Sequence, residues 1–428
     1  MGDTGTSLPP QRPYVSRIQV VNATPHKILV ANTHDGLRED LNWARHRKAE
    51  TADLQKAVVY EFGQSQSERA FAFSSSDKQW NLDVEVQLGA GYDGMTVQLY
   101  LDDQDTYISR ANISTCPTAF SNHVVVSGNS AVFRFEGNGD APYGWFGKYR
   151  ITVHIWNAPF KRASNPEENA KVPDFHLEAY YLSTSNLPEY FKDGIPLLLL
   201  RMFVLPWHGR LTYDSIEAYI EHVTQVVFGS RKPYDGRPSA TSDHWLVYNS
   251  DGGGSASFAS QYGEAGLNLT AWLDAFRNFE QHGLHTHVNC YDQAAITEIA
   301  LCLGLSHNQI HWEYNQVYGF IDAELVGWGR VNSPYFDDIK DTRFYKQVDG
   351  KEDSRRQPFN NHAYLSWSKE PVALDFYKQY DEAMKDCEDH DDYAQRAENF
   401  EKTKGVTLRM IDSCAGPHPG TETRQETI

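Results

Sequence analysis

The sequence predicts an α+β fold: a β-sandwich in front and a mixed helix-and-strand domain behind it. Three observations carry that prediction. First, runs such as IQVV, KILVA, LDVEVQL, MTVQLYL, AVFRF and YRITVHIW crowd the first part of the chain, rich in β-branched and aromatic residues, with Gly, Asn and Asp between them. Second, apolar residues recur at helical spacing in three later stretches, Asp214 to Val227, Asn268 to Gln281 and Asn289 to Leu303. Third, alternation with period two returns after them, and runs of helices and then strands mark an α+β domain rather than a doubly wound one.

In chain order, residues 1–14 read as a Pro-rich disordered lead and 15–185 as the sandwich. The polar stretch Leu37 to Gln55 interrupts the strand pattern as a helix or long loop. Ser183 to Gly194 is a junction, and Ile195 to Leu205 opens the second domain, 195–405, as a strand or a strut. SDGGGSAS, Ser250 to Ser257, lacks the Lys-Ser/Thr ending of a phosphate loop and reads as a flexible loop. Strands are expected around Val317 to Val331, Arg343 to Val348, Ala363 to Trp367 and Val372 to Asp375. Charged helices follow over Lys378 to Thr403, and 415–428 is a polar tail.

A length of 428 residues is ample for two cores, and a formal charge of −18 argues against nucleic acid or an anionic membrane as partner. No apolar run approaches a membrane span, and the first residues lack the apolar core of a secretory signal, so a cytoplasmic location is expected. Five scattered cysteines (Cys116, Cys290, Cys302, Cys387, Cys414) form no disulfide framework.

The functional signal centres on GLHTHVNCYDQAAITEIALCLGL, Gly283 to Leu305. Asn289 is a good N-cap, and Asp292 three residues on makes an imperfect capping box. Ile296, Ile299, Ala300 and Leu303 keep the helical period, and Gly304 stands at the expected stop. Cys290 is thereby delivered to the first turn of a buried helix, where unpaired backbone N–H groups favour a thiolate. A buried cysteine that serves only as a small hydrophobe is the plain alternative.

A thiolate nucleophile needs a proton acceptor, and the acceptor needs an orienting group. Both occur in NNHAYLSWSKEPVALDFY. If YLSW and VALD pair antiparallel across Ser368-Lys369, His362 and Asp375 fall opposite each other with Cβ atoms about 5 Å apart. His282, His285, His287 and Cys290 crowd one loop and offer zinc ligands, but their spacing matches no recognised zinc motif and no Cys pair accompanies them.

These pieces resemble the transglutaminase-like superfamily of cysteine enzymes, whose triad is similar to that of papain-type proteases. Its usual Cys-x-Asp-x-Ala matches Cys290-Tyr291-Asp292-Gln293-Ala294. His-Ala-Trp looks like His362-Ala363-Tyr364, and the Asp segment looks like Leu374-Asp375-Phe376. Val288 and Phe376 depart from the family's glycine and proline at those places.

The resemblance implies a papain-like α+β catalytic domain behind an Ig-like sandwich. It implies acyl transfer at an amide or ester carbonyl, with Cys290 as nucleophile, His362 as base and Asp375 as orienting group. The oxyanion would be held by the Cys290 N–H and a side chain such as Trp245 or Gln261. No cofactor and no metal are implied. The expected partner is a protein, peptide or amide-bearing small molecule, and the acyl acceptor is an amine or water. A non-catalytic module of the same fold, which binds partners, is the alternative. Tyr262, Trp312, Tyr314, Tyr318, Trp328, Tyr364 and Trp367 supply aromatic surface that leans the reading towards an amine acceptor.

Overall fold

The computed structural model describes residues 13–22, 25–26, 28–29, 41–42, 58–62, 70–74, 81–103, 120–136, 145–156, 171–182, 187–191, 194–204, 215–228, 245–249, 256–259, 266–315, 319–320, 324–326, 329–330, 358–359, 362–387, 390–414 and 418–423. Gln261, Tyr262, Tyr318, Trp328, Cys116 and the expected strand Arg343 to Val348 lie outside them, as do most of Leu37 to Gln55 and Ser250 to Gly254.

The chain is α+β, as its patterns require. Two sheets in its first part are built, among the described residues, from β1 (Tyr14–Val21), β2 (Val58–Glu61), β3 (Ala70–Ser74), β4 (Asn81–Gln87), β5 (Thr96–Asp103), β6 (Val124–Val125), β7 (Ser130–Glu136), β8 (Trp145–Trp156) and β9 (Lys171–Leu182). One sheet has the order β2-β1-β4-β7 and the other β3-β9-β8-β5-β6. Only the β3–β9 pair among these is parallel.

Period-two patterning decides which face is buried. Leu82, Val84 and Val86 of β4 and Ala131, Phe133 and Phe135 of β7 point inward, while Asp83 and Arg134 pair across the outer face at 2.7 Å. The apolar face supplies the stability, since an exposed ion pair contributes at most about 1 kcal/mol.

The two parts share one core. Ala72 of β3 and Tyr180 and Leu182 of β9 belong to the same buried cluster as the helices that follow. Ile195-Pro196 pairs in parallel with Ile28-Leu29, and Gly266-Leu267 pairs with Leu41-Asn42. The apolar run after residue 194 is therefore a two-residue strand that turns into helix α1 (Leu197–Phe203).

Helix α2 (Ile216–Val227) is capped by Ser215, and α3 (Leu269–His282) is capped by Asn268 and ended by Gly283 at φ 68°. Helix α4 (Cys290–Leu301) runs through the middle, with ten of its twelve residues buried, so it is covered around its whole circumference rather than along one stripe. Tyr219 of α2 donates to the Ala300 carbonyl at 2.7 Å, and a Cβ at Gly304 would overlap the Tyr219 ring. Glycine is required there for close approach.

Two short parallel strands, β10 (Leu246–Tyr248) and β11 (Thr286–Val288), lead to the start of α4. The second sheet system is antiparallel: β12 (Ile310–Asn315), β13 (His362–Trp367), β14 (Arg409–Asp412) and β15 (His418–Thr423), in that order. Part of the expected polar tail is thus an edge strand. Helices α5 (Phe376–Met384) and α6 (His390–Lys404) lie between β13 and β14 in sequence and build a small core of their own from Val372, Phe376, Tyr377, Tyr380, Ala397 and Leu408.

The expected hairpin between YLSW and VALD does not form. Both edges of β13 are already taken, by β12 and by β14, so no edge remains for a third strand. The chain leaves β13 at Ser368 and enters α5 with Asp375 as its N-cap residue.

Candidate active site

The position of Cys290 is set by the local sequence. Asn289, in extended conformation, accepts from the N–H groups of Tyr291 (3.0 Å) and Asp292 (3.2 Å), and Asp292 returns a bond to the Asn289 N–H at 3.2 Å. The capping box is complete. The cap serves the second and third helical residues and leaves the Cys290 N–H pointing out of the helix.

Asp292 does more than cap. Its carboxylate also accepts from the backbone N–H groups of Ser257, Phe258 and Ala259 at 2.9, 2.8 and 2.6 Å, which ties the preceding loop to the first turn of α4. Behind it, Gln293 donates to the carbonyls of Val227 and Ser413, and Thr297 bonds Ser413. The helix is thereby fixed to α2 and to the end of β14.

His362 opens β13 and is fully buried. Its Nε2 bonds the Asp412 Oδ2 at 2.7 Å, and Asp412 closes β14, the adjacent strand. The other oxygen of Asp412 accepts from the Cys414 N–H at 2.7 Å, which fixes the carboxylate's rotation. Cys290 neighbours the imidazole closely enough to bear on its proton affinity. Burial by itself pulls His362 down, but the charge and hydrogen bond of Asp412, with the adjacent thiol, outweigh it and push the imidazole up to about 10. The site therefore holds a proton on His362 at neutral pH.

The structure brings Cys290 and His362 together and leaves Asp375 out. Asp375 is exposed at the start of α5 and accepts from Gln379 at 2.6 Å. The carboxylate beside His362 is Asp412, whose segment, MIDSC, ends an apolar strand. That apolar strand was the sequence signal that could have found it. The Trp245 ring packs edge-on against Trp272 (4.8 Å) and Phe276 (5.3 Å) of α3.

Three residues further on, Tyr248 is the β10 side chain that reaches the site, where it hydrogen-bonds Cys414 and neighbours Cys290 and Asp412. Burial, with those neighbouring groups, pushes Tyr248 and Cys414 well above their ordinary values, so both keep their protons. Cys302, at the other end of α4, is pushed up to about 12 by burial and by Glu298, which makes it an inert thiol.

The histidines of the loop before Cys290 face away from it. His282, His285 and His287 are exposed, whereas Val288, Asn289 and Cys290 are buried. Among the described residues no three His, Cys, Asp or Glu side chains are grouped to hold a metal ion. Among the described helices none is long and apolar enough to cross a membrane. Of the aromatic residues expected near the site, Tyr364 and Trp367 are core residues, while Trp312 and Tyr314 flank the start of α4.

No family model matches the chain, and a comparison with curated proteins finds no match. Among solved structures the chain is similar to red sea bream transglutaminase, at a TM-score of 0.33 and 11% identity, over 79% of this chain and 50% of that one. It spans half the length of that neighbour. A weak structural likeness to a transglutaminase is thus what the comparisons give, and at this level of similarity it carries no argument about chemistry. The geometry has to carry it.

Proposed function

We propose that the chain is a transglutaminase-like thiol enzyme that transfers an acyl group from an amide or ester through a Cys290 thioester. The observation that carries this reading is the buried relay at the start of α4: a cysteine beside an imidazole whose far nitrogen is held by a carboxylate at 2.7 Å.

The Cys290 sulfur attacks the carbonyl carbon while its proton resides on His362. The tetrahedral oxyanion takes the uncapped Cys290 N–H, with Tyr248, which neighbours Cys290, as a side-chain donor alongside Trp245 or Gln261. His362 gives its proton to the departing amine or alcohol, leaving a thioester. Water or a second amine then attacks with His362 as base, and the free thiol returns. Asp412 holds the imidazole tautomer throughout and stays ionised. No cofactor enters these steps. In this reading residues 195–405, extended by β14 and β15, form the catalytic domain, and 15–185 an Ig-like accessory sandwich. The donor is a protein, a peptide or a small molecule that bears an amide, and the setting is cytoplasmic.

Cys290 is 3% exposed, which favours a second reading in which the site is closed and the chain is a non-catalytic binding module. One experiment separates them. With iodoacetamide at neutral pH and peptide mapping, Cys290 should be labelled before Cys302, Cys387 and Cys414, and Cys290→Ala should abolish turnover of an acyl thioester. Cys387 labelled fastest with Cys290 inert would favour the module.

A further inference from the structure

Strand β12 presents two unlike faces. His311 and Glu313 turn towards the inserted helices: His311 bonds Asp381 of α5 at 2.8 Å, and Glu313 accepts from Ser366 and from Tyr393 of α6. Alternation sends Trp312 and Tyr314 to the opposite face, against α4. There they meet Tyr291, the residue after Cys290, with ring centroids 6.2 Å and 5.9 Å from it and interplanar angles of 40° and 42°. Tyr314 is paired in register with Ala363, the neighbour of His362. Trp312 and Tyr291 are half-buried, while Tyr314 is 44% exposed.

A single exposed tyrosine on a strand needs no explanation. Three contiguous rings that start one residue from a buried thiol and end at an open surface are a different matter. A tilted cluster of this kind offers ring faces and edges to a fourth ring at the separations aromatic groups prefer. We propose that Tyr291, Trp312 and Tyr314 form a subsite for an aromatic or bulky apolar side chain of the acyl donor, on the atom next to the carbonyl that Cys290 attacks. This rests on the acyl-transfer reading of the site. The donor side is favoured because the cluster begins on the residue that follows the nucleophile in the same helical turn. A donor held by its carbonyl at Cys290 places its neighbouring substituent there.

The test uses the full chain and two probes, N-benzyl and N-methyl chloroacetamide. Rates of modification at Cys290 are measured by mass spectrometry, and each is divided by the probe's rate with free glutathione. The normalised benzyl-to-methyl ratio should be about ten or more, the discrimination that an apolar pocket gives for a group of this size. It should collapse towards one in Tyr314→Ala, survive in Tyr314→Phe, and survive in Phe120→Ala, an exposed ring in the first part of the chain.

A ratio near one in the unaltered protein, or one that persists in both Tyr314→Ala and Tyr291→Ala, overturns the subsite. Phenylpropionyl and acetyl thioesters, each turned over with benzylamine or methylamine, settle the side. A preference that follows the amine alone overturns the donor assignment. Cys290 inert to both chloroacetamides overturns the acyl-transfer reading itself, and the subsite with it.

Discussion

Asp412→Asn isolates the electrostatic part of the site with little change of shape. The amide keeps the carboxylate's volume and can still accept from His362, so what is removed is a buried negative charge 2.7 Å from the ring. In the native protein His362 is pushed from 6.5 to about 10 against its own burial. At about 1.4 kcal/mol per pH unit, the protonated ring is favoured by something on the order of 5 kcal/mol relative to an isolated histidine. Without Asp412 only the adjacent thiol opposes the burial, and His362 should lose its proton at a much lower pH than in the native protein.

Two readouts follow. Alkylation of Cys290 at pH 7 should slow by about tenfold or more in Asp412→Asn, because the neighbouring ring loses the charge that favours the anionic sulfur in the transition state. Stability carries the sign of a raised histidine. The contribution is complete below about 6.5 and lost as pH rises through about 10, so native stability should decline over that window and the variant's should not. An unchanged alkylation profile in Asp412→Asn would refute the reasoning, and so would Asp375→Asn producing the loss instead.

Three further outcomes are expected. His26 and His222 are both pulled down to about 4 by burial, so their neutral forms stabilise the fold above 6.5. Up to about 3 kcal/mol from each should be lost as pH falls from 6.5 towards 4, a drop in urea-unfolding free energy that His222→Gln should reduce. Asp292→Asn sets an amide against backbone donors at Ser257, Phe258, Ala259 and Asn289, and should cost roughly 2–4 kcal/mol by urea denaturation, with faster proteolysis near 256–259. A variant as stable as the native chain would contradict that anchoring role. Gly304→Ala drives a methyl into the Tyr219 ring and should cost about 1–3 kcal/mol by the same assay.

Local signals survived folding where the interaction that fixes an element is itself local. The start of α4 was legible because Asn289 and Asp292 sit three residues apart and bond each other's backbone. The inner faces of β4 and β7 were legible because each residue's burial follows from its neighbours' alternation. Tyr248 was missed because nothing near it in sequence announces a site. It arrives through the parallel pairing of β10 with β11, which puts Tyr248 opposite Val288, two residues before Cys290. Trp245 packs its ring into the core against α3.

The misplaced aspartate has a more particular cause. Asp375 and Asp412 both follow an apolar stretch, and Asp375 is the one within hairpin distance of His362. Proximity in sequence decides only if the strand after β13 is its partner, and here it is not. Strands β13 and β14 are antiparallel, with Leu365 opposite Ile411 and Trp367 opposite Arg409. His362 and Asp412 therefore lie towards one end of the pair, and the connection between the strands leaves from the other end, at Ser368. Whatever is inserted there projects away from the relay. Helices α5 and α6 fill that connection with their own small core and bond back to β12 through Asp381 and Tyr393, away from the end that holds His362 and Asp412. The His–Asp pair constrains which residues end up at the relay end of the sheet. It leaves the number of residues between them free, and a search that fixes that number will select the wrong carboxylate whenever the far end of the sheet has grown.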